Sequence, residues 1–255
     1  MASPSNGGPH IDPMHHFELH PIMELHLFGI DFSITQAVVW IWIAAALLIT
    51  VLTLVAKTLK HYPSGMQNFI EMIVEFLRNQ LVNDVMGEKE GRTWFPFIAT
   101  LFLFILTSSL LGLVPGSFTP TANINVTVAL ALVVFLAVQG VGVRKHGLVG
   151  YLKGFVPHGI PLWVLPLLLP IEFISQLAKP LSLAIRLFAN MLVGHVVILV
   201  FLSMIILFKS FAVAVFPIAG VVVMSAFEIF VASIQAFIFA ILTANYISDA
   251  IHQAH

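Results

Sequence analysis

Residues 171–207 read IEFISQLAKPLSLAIRLFANMLVGHVVILVFLSMIIL, an apolar run in which polar and charged side chains recur at intervals. At about 100° per residue, six of those side chains fall within about 40° of the Arg186 direction on a helical wheel. They are Glu172, Ser175, Lys179, Ser182, Arg186 and Asn190. Such a stripe on an oily helix predicts a polar path that enters from one membrane surface and ends near the middle.

The same run is too long for a helix that crosses a membrane along the normal. As one helix it would measure about 55 Å, whereas the hydrocarbon core is about 30 Å thick. Pro180 removes a backbone hydrogen bond, which favours a bend shortly before Arg186. Lys179, one residue before the proline, could simply extend its ammonium group towards water. We therefore expect a long helix that is bent or steeply tilted.

A second apolar run, residues 211–251, can form an antiparallel hairpin with the first. Residues at equal depth in such a hairpin are at equal distances in sequence from its turn. Three polar pairs have the midpoint of their residue numbers at the expected turn, residues 209–211, or within one residue of it. The pairs are Glu172 with Asp249, Arg186 with Gln235, and His195 with Glu228. His195 lies on the opposite helix face from Arg186, about 13.5 Å further along. This register predicts one polar layer near each membrane surface, with Arg186 and Gln235 between them.

The composition excludes a soluble globular protein. Of the 255 residues, 59% are hydrophobic and 9% are charged, against about 45–50% and about 25% in soluble domains. The chain has no cysteine, a formal net charge of -1 and no Gly-Lys-Ser/Thr phosphate-binding loop. These features exclude disulfides and thiol catalysis, and they leave no basic face for nucleic acid. Any nucleotide chemistry must belong to a partner, and we expect neither a cofactor nor catalysis by this chain alone.

The hydropathy pattern predicts an all-α integral membrane protein with five membrane-crossing helices. The spans are expected at about 34–56, 94–113, 124–143, 162–208 and 211–251. Residues 1–33 form a polar segment rich in His and Pro, and residues 34–255 form a single membrane domain. Between the first two spans, residues 64–86 have the spacing of an amphipathic helix, which favours a helix on the membrane surface. A solvent helix packed on a partner protein remains the alternative for this segment.

The positive charges indicate how the chain is oriented. No Lys or Arg precedes Lys57, whereas eight basic residues lie in the two regions 57–92 and 144–153. Because cytoplasmic loops are enriched in such residues, the amino terminus is expected on the translocated side. After five crossings the carboxyl terminus is then on the cytoplasmic side.

Chemistry alone leaves more than one role open for the charges inside the membrane. Arg186 could be half of a structural ion pair, but Glu228 is matched with His195, so a carboxylate from another subunit is the functional alternative. His195 and Glu228 could be a static hydrogen-bonded pair or a proton relay, because imidazole titrates near neutral pH. Glu172 and Asp249 could be no more than solvated groups near an aqueous surface.

Two other classes of protein compete with a proton path. His16 and His20 have the four-residue spacing of helical metal sites, which would suit a metal-dependent membrane oxidase. Their segment is rich in proline and the spans lack further histidine clusters, so no metal site is predicted. An ion-coupled secondary transporter is the other alternative, although the inverted repeats typical of such proteins are not apparent.

Two motifs resemble the signatures of a known family. Residues 179–190, KPLSLAIRLFAN, and residues 234–239, IQAFIF, look like the two signatures of subunit a of the rotary F-type ATP synthase. Residues 123–127, NINVT, also resemble the start of a span in that family. The order of His195 and Glu228 is similar to that of the mitochondrial and related bacterial type.

The resemblance implies a stator of the Fo sector, next to a ring of c subunits whose membrane carboxylates exchange protons through two offset half-channels. Arg186 matches the family's essential arginine, which would attract the unprotonated ring carboxylate and prevent protons from leaking between the half-channels. Gln235 and Asn190 match its neutral neighbours. A chain of this type couples proton flow to rotation of the ring and hence to ATP synthesis.

The other polar residues are divided by the resemblance between the two half-channels. The cytoplasmic-side half-channel would contain Glu172, Ser175 and Ser182, with Asp249 added by the hairpin register, and the opposite one would contain His195 and Glu228. Ser109 and Gly112 stand where some bacterial members are more polar, so no role is expected there. The implied partners are the c-subunit ring, the b-subunit peripheral stalk, other F-type ATP synthase subunits and membrane lipid, in a bacterial inner membrane.

Overall fold

A computed structural model describes residues 21–23, 26–27, 30–31, 34–57, 65–114, 117–153, 165–208 and 211–252. In chain order its helices are α1 (Gln36–Lys57), α2 (Met66–Phe76), α3 (Asp84–Met86), α4 (Glu88–Leu111), α5 (Ile124–Lys153), α6 (Leu165–Phe208) and α7 (Phe211–Ile251). Within the described ranges, α1, α4, α5, α6 and α7 are long and apolar enough to cross a membrane. The expected class of multi-pass, all-α membrane protein is confirmed.

Two short antiparallel ladders precede α1, and hydropathy did not predict them. β1 (Pro21–Met23) pairs with β4 (Ile34–Thr35), and β2 (His26–Leu27) pairs with β3 (Ile30–Asp31). Strands of two or three residues are too short to show a periodicity in the sequence. The first residue of the first expected span therefore belongs to β4, and the helix begins two residues later.

The helices α6 and α7 are the longest, with 44 and 41 residues, and they form the antiparallel hairpin expected from the sequence. Their lengths correspond to about 66 Å and about 62 Å, twice the thickness of the hydrocarbon core. The helix α6 continues through Pro180. Near the turn, Gly220 lies against the ring of Phe201, and the two positions are symmetric about the turn.

The segment expected as one helix over 64–86 changes helix type along its length. Its first residue lies outside the described residues, and α2 begins at Met66. A π-helical stretch, Leu77–Asn83, separates α2 from α3. Gly87 ends α3 with a φ of 77°, a backbone conformation that favours glycine.

This change of helix type divides the apolar face of the segment. A π-helical turn contains more residues than an α-helical turn, so the apolar side chains after it point in a new direction. Three large apolar side chains before it are exposed, namely Phe69, Met72 and Phe76. Those within and after it are buried where the segment contacts α4 and α7, and they are Leu77, Leu81, Val82 and Met86. The first half can therefore face lipid, while the second half belongs to the core.

The core is built around a stripe of alanines on α7. Ala232, Ala236, Ala240 and Ala244 recur at every fourth position, and Ala232, the most accessible of them, is 1% exposed. Small side chains at this spacing allow helix backbones to approach closely inside a membrane. The helices α4, α5 and α6 all contact α7. Hence α7 is the central helix of the described bundle.

Near its end, α5 folds back on itself. Gly147 interrupts the helix with a φ of 72°. The Tyr151 ring then packs against Gly142, where a Cβ atom would overlap it, and the Tyr151 hydroxyl donates to Gln139 Oε1 at 2.6 Å. This fold-back carries Tyr151 into the wall of a cavity between α5, α6 and α7.

Replacing Gly142 with Ala is expected to destabilise the fold-back, because the new Cβ would overlap the Tyr151 ring. Overpacking of this kind costs about 1–3 kcal/mol, so the thermal midpoint of the detergent-solubilised protein should fall. Gly140→Ala is the matched control, since nothing lies within 4 Å of the position its Cβ would take. Equal midpoints for the two variants would contradict the close approach of Tyr151 to Gly142.

Candidate functional site

His195 on α6 and Glu228 on α7 form the pair that hairpin symmetry predicted. His195 Nδ1 lies 3.4 Å from Glu228 Oε1. The glutamate side chain is 3% exposed and the imidazole 13%, so the protein shields both from solvent. Burying a carboxylate is costly unless it is paired, and neither Glu228 oxygen has a hydrogen-bond partner among the described residues. Among the described residues, the imidazole is therefore the ionisable group that can stabilise a negative charge on this buried carboxylate.

A glycine next to the histidine makes room for the carboxylate. A Cβ on Gly194 would lie 3.0 Å from Glu228 Cδ and 3.1 Å from Oε1, closer than side chains normally approach. The backbone of α6 and the Glu228 side chain can approach closely only because position 194 has no side chain. Gly194 thus helps to bring Glu228 to the level of His195.

The other ring nitrogen of His195 contacts Thr119, which the sequence did not single out. Thr119 Oγ1 is hydrogen-bonded to His195 Nε2, and Thr119 immediately precedes a short 3₁₀ helix, Pro120–Ala122, between α4 and α5. The threonine fills the space beside Gly112, where any side chain would overlap its hydroxyl group. Because Gly112 has no side chain, Thr119 has room to reach His195.

Another buried hydroxyl group lies on the same 3₁₀ helix. Thr121 Oγ1 is 3.3 Å from Ser109 Oγ on α4, and both residues are buried. No role was expected at Ser109, yet it contributes to the polar surroundings of this helix. We call Ser109, Thr119, Thr121, His195 and Glu228 the histidine cluster.

Towards the other end of the hairpin, α5, α6 and α7 enclose a cavity of about 190 Å³. Glu172 and Asp249 both line it, as the hairpin register predicted. Lys179 extends over the ring of Tyr246, with Nζ 5.4 Å from the ring centroid, and Gln176 Nε2 donates to Glu172 Oε1 at 3.3 Å. We call this space the acidic cavity, and its polar lining consists of Tyr151, Glu172, Gln176, Lys179, Tyr246 and Asp249.

Between the histidine cluster and the acidic cavity, an amide pair joins α6 to α7. Asn190 Nδ2 donates to Gln235 Oε1 at 2.7 Å, and Gln235 is 1% exposed. The hairpin register expected Gln235 opposite Arg186, but its hydrogen-bond partner stands four residues further along α6. Four residues are about one helical turn, and Asn190 lies on nearly the same face as Arg186, so symmetry alone did not distinguish the two.

Arg186 is exposed on α6, one turn before Asn190. Among the described residues, no carboxylate oxygen lies within 4.0 Å of its guanidinium group. With Ser182 it lines an open groove, whose other walls are Ala178, Leu181 and Ile185. Because a guanidinium group stays protonated at any working pH, this groove carries a permanent positive charge.

The six residues of the stripe on α6 do not all line the same space. Glu172 and Lys179 line the acidic cavity, whereas Ser182 and Arg186 line the open groove, and Ser175 is exposed. The stripe is about 80° wide, so it extends across the boundary between the face packed on α7 and the face left open. The stripe is therefore divided between two spaces, and the path along it stays a prediction.

Five polar contributors to these sites were not predicted, namely Thr119, Thr121, Tyr151, Gln176 and Tyr246. The two threonines belong to the polar loop SFTPTAN at 117–123, and a polar loop between apolar spans was the available signal. Gln176 follows an acid by four residues, the spacing of neighbours on a helix. The hairpin register was applied only to polar and charged residues, so it did not indicate the aromatic Tyr246.

The metal hypothesis concerned two histidines near the amino terminus. His16 and His20 lie outside the described residues. Within the described ranges, no group of three or more His, Cys, Asp or Glu side chains could hold a metal ion.

These features define a multi-pass membrane protein whose helix hairpin carries two separate polar sites with a permanent cation between them. Residues 38–248 match the family model described as ATP synthase A chain. The chain is 41% identical to ATP synthase subunit a of Magnetococcus marinus, over 99% of this chain and 97% of the relative. It is 39% identical to ATP synthase subunit a of Parvibaculum lavamentivorans, over 100% and 98%. The identity to the Rhodospirillum rubrum subunit is 39%, over 94% and 98%.

The chain belongs to the ATP synthase subunit a family. This membership confirms the resemblance seen in the two motifs. It also bears out the expected function, that of the proton-translocating stator subunit of Fo, and it does not favour an ion-coupled secondary transporter.

Thr119→Val removes the hydroxyl group that is bonded to His195 Nε2 and keeps a side chain of similar shape. Loss of a buried hydrogen bond costs about 0.5–1.5 kcal/mol, so ATP-driven proton pumping by the intact enzyme is expected to fall about 2- to 10-fold. Thr119→Ser keeps the hydroxyl group and should retain most of the activity.

Thr100→Val serves as the control, because the Thr100 hydroxyl is exposed and donates to the carbonyl of Pro96 in its own helix. Wild-type pumping by an assembled Thr119→Val enzyme would show that the hydroxyl group is not needed by the histidine.

Proposed function

We propose that the histidine cluster and the acidic cavity belong to two offset half-channels, and that Arg186 keeps the two separate. In this proposal the chain delivers protons to carboxylates on a rotating ring of c subunits and receives them back after the ring has turned. The observation that carries the proposal is the exposed guanidinium of Arg186, which has no carboxylate near it among the described residues.

The energetics of Arg186 support a mobile partner. A charge at the middle of a bilayer costs about 2.5–3.5 kcal/mol even on the lenient insertion scale. Arginine cannot avoid this cost by losing its proton, so an opposite charge has to reach it. A deprotonated carboxylate on a passing ring subunit is such a charge. The neutral Asn190–Gln235 pair lies beside Arg186 without competing for it.

The contacts of His195 support a relay rather than a static pair. One ring nitrogen contacts the Thr119 hydroxyl, and the other faces the Glu228 carboxylate. A proton can therefore reach the imidazole at one nitrogen and leave from the other. The unpartnered oxygens of Glu228 are able to accept that proton. We assign this cluster to the half-channel on the translocated side.

The acidic cavity supports the second half-channel. Glu172 and Asp249 face the same small space, although they are far apart in sequence. Ser182 lies between this cavity and Arg186 along α6, and it lines the groove in which the guanidinium is found. Exposed Ser175 stands on the same side of the helix. In our proposal a proton released near Arg186 leaves past these residues.

Membership of this family implies other subunits of the ATP synthase as partners. We propose that the c-subunit ring packs on the open face of α6 around Arg186. Large apolar residues on that helix are exposed there, including Leu181 at 52% and Val193 at 61%, and an apolar surface of this kind is typical of an interface or of lipid contact. The b-subunit peripheral stalk is the second partner that we propose.

The charges support an orientation with the amino terminus outside and the carboxyl terminus in the cytoplasm of a bacterial inner membrane. Lys89 and Arg92 lie at the start of α4, and Arg144 and Lys145 lie near the end of α5. These basic residues belong to the end of the bundle that holds the acidic cavity. By the positive-inside rule, that end is cytoplasmic.

Arg186→Ala is expected to abolish coupled ATP synthesis while the enzyme still assembles. Removing the cation also removes the attraction for the ring carboxylate, and the loss of one partner of a buried charge pair costs about 3–5 kcal/mol, which corresponds to a loss of at least about 100-fold. The measurement is ATP synthesis by proteoliposomes under an imposed proton gradient. Passive proton leakage through the same vesicles should rise, because nothing then separates the two half-channels.

Lys57→Ala is the matched control, since it removes an exposed cation at the end of α1, away from the hairpin. It should leave both synthesis and leakage unchanged. Retention of coupled synthesis by an assembled Arg186→Ala enzyme would refute the proposed role of the arginine.

A further inference from the structure

Another cavity lies at the end of the bundle that carries the basic residues. It measures about 680 Å³ and lies between the first turns of α4, the later turns of α5 and the end of α7. None of the residues that we assign to the proton path lines it. Its lining combines cations, one acid, one indole and apolar groups, including Lys89, Glu90, Trp94, Val141, Arg144 and Lys145. We call it the basic cavity.

The cations of the basic cavity are only partly neutralised. Lys145 Nζ lies 2.8 Å from Glu90 Oε1, and the other oxygen of Glu90 lies 3.4 Å from His252 Nε2. Among the described residues, no carboxylate oxygen lies within 4.0 Å of the charged groups of Lys89 or Arg144. Three cations therefore line a space with a single carboxylate, which Lys145 and His252 already engage. Such a space attracts an anion.

The remaining wall of the basic cavity is apolar. Ala137 and Val141 line it, and Gly140 leaves it open because nothing lies within 4 Å of the position a Cβ would take. Trp94 is half-buried in the same lining. Tryptophan is enriched at the depth of lipid head groups in membrane proteins. Cations beside an apolar wall suit a ligand with a negative head and a hydrocarbon tail.

We propose that the basic cavity binds an anionic phospholipid, with its phosphate held by Lys89 and Arg144. Basic pockets between transmembrane helices on the cytoplasmic side are suited to such head groups, and a volume of this size is within the range of about 300–1,000 Å³ typical of ligand sites. Inorganic phosphate offers the same negative charge but would leave the apolar wall uncovered. The bound lipid joins α4 to α5 beside Ile251, where α7 ends.

The test uses the intact enzyme in native-lipid membranes to which a photoactivatable phosphatidylglycerol has been added. After irradiation, mass spectrometry measures how much label is attached to residues 89–94 and 137–145. Each cation near an anionic head group contributes roughly a fivefold preference, so labelling of the double variant Lys89→Gln/Arg144→Gln should be about 25-fold lower. Lys57→Gln should lose none.

Two further arms separate lipid from other sources of negative charge. Photoactivatable phosphatidylcholine should label the wild-type cavity far less, and an excess of inorganic phosphate should not displace phosphatidylglycerol. Equal labelling by the two lipids would show that the cavity has no preference for an anionic head group, and it would overturn the proposal. Displacement by phosphate would make it a site for the free anion. Absence of labelling in an enzyme that still pumps protons would show that no phospholipid enters.

Should the double variant fail to assemble, the single variants Lys89→Gln and Arg144→Gln are each expected to lose about fivefold of the labelling. Unchanged labelling in both would contradict the assignment of the two cations. Because this readout is lipid binding, its failure leaves the proposed proton path untouched, and a failed proton path leaves the lipid site untouched.

Discussion

Arg186 presents a guanidinium group that cannot lose its proton, in a part of the chain where charge is costly. Within the described structure, the acids on the same hairpin are held away from it. Glu228 is held at His195, and Glu172 and Asp249 line a cavity at the other end. The polar pair nearest to Arg186 along α6 is neutral, Asn190 with Gln235. The rest of the site therefore keeps the negative charges of this hairpin apart from the positive charge of Arg186.

Small residues provide the space that this separation requires. The alanine stripe of α7 allows three other helices to pack around it, so the hairpin is held in a defined register. Gly194 lets the Glu228 side chain approach the backbone of α6, and Gly112 leaves room for Thr119 beside His195. At each of these two glycines, the absence of a side chain allows a polar contact by a neighbouring residue. Packing and the placement of the polar groups are therefore linked in this bundle.

Much of the fold followed from hydropathy, and part of the site followed from hairpin symmetry. Length and apolar composition were enough to predict five crossing helices, and the symmetry brought His195 to Glu228 and Glu172 to Asp249. The hairpin register predicts the depth of a residue only to within about one helical turn. It therefore placed Arg186 opposite Gln235, whereas the hydrogen-bond partner of Gln235 is Asn190, one turn further along α6.

Other features depended on information that a linear pattern does not contain. The contact of Thr119 with His195 joins a loop to a helix 76 residues later, and no periodicity links the two. The π-helical stretch after α2 rotates an apolar face that an ideal helix would have kept continuous. The role of Gly112 as space for a neighbour could be recognised only once that neighbour was known.

The most direct measurement of the central claim is an experimental structure of the complete enzyme, with the distance from the Arg186 guanidinium to the nearest carboxylate determined in each rotational state. The account predicts that this carboxylate belongs to the ring, within hydrogen-bonding distance in at least one state, and that no acid of this chain takes its place. A guanidinium bound to an acid of its own polypeptide in every state, or one directed into lipid, would contradict it.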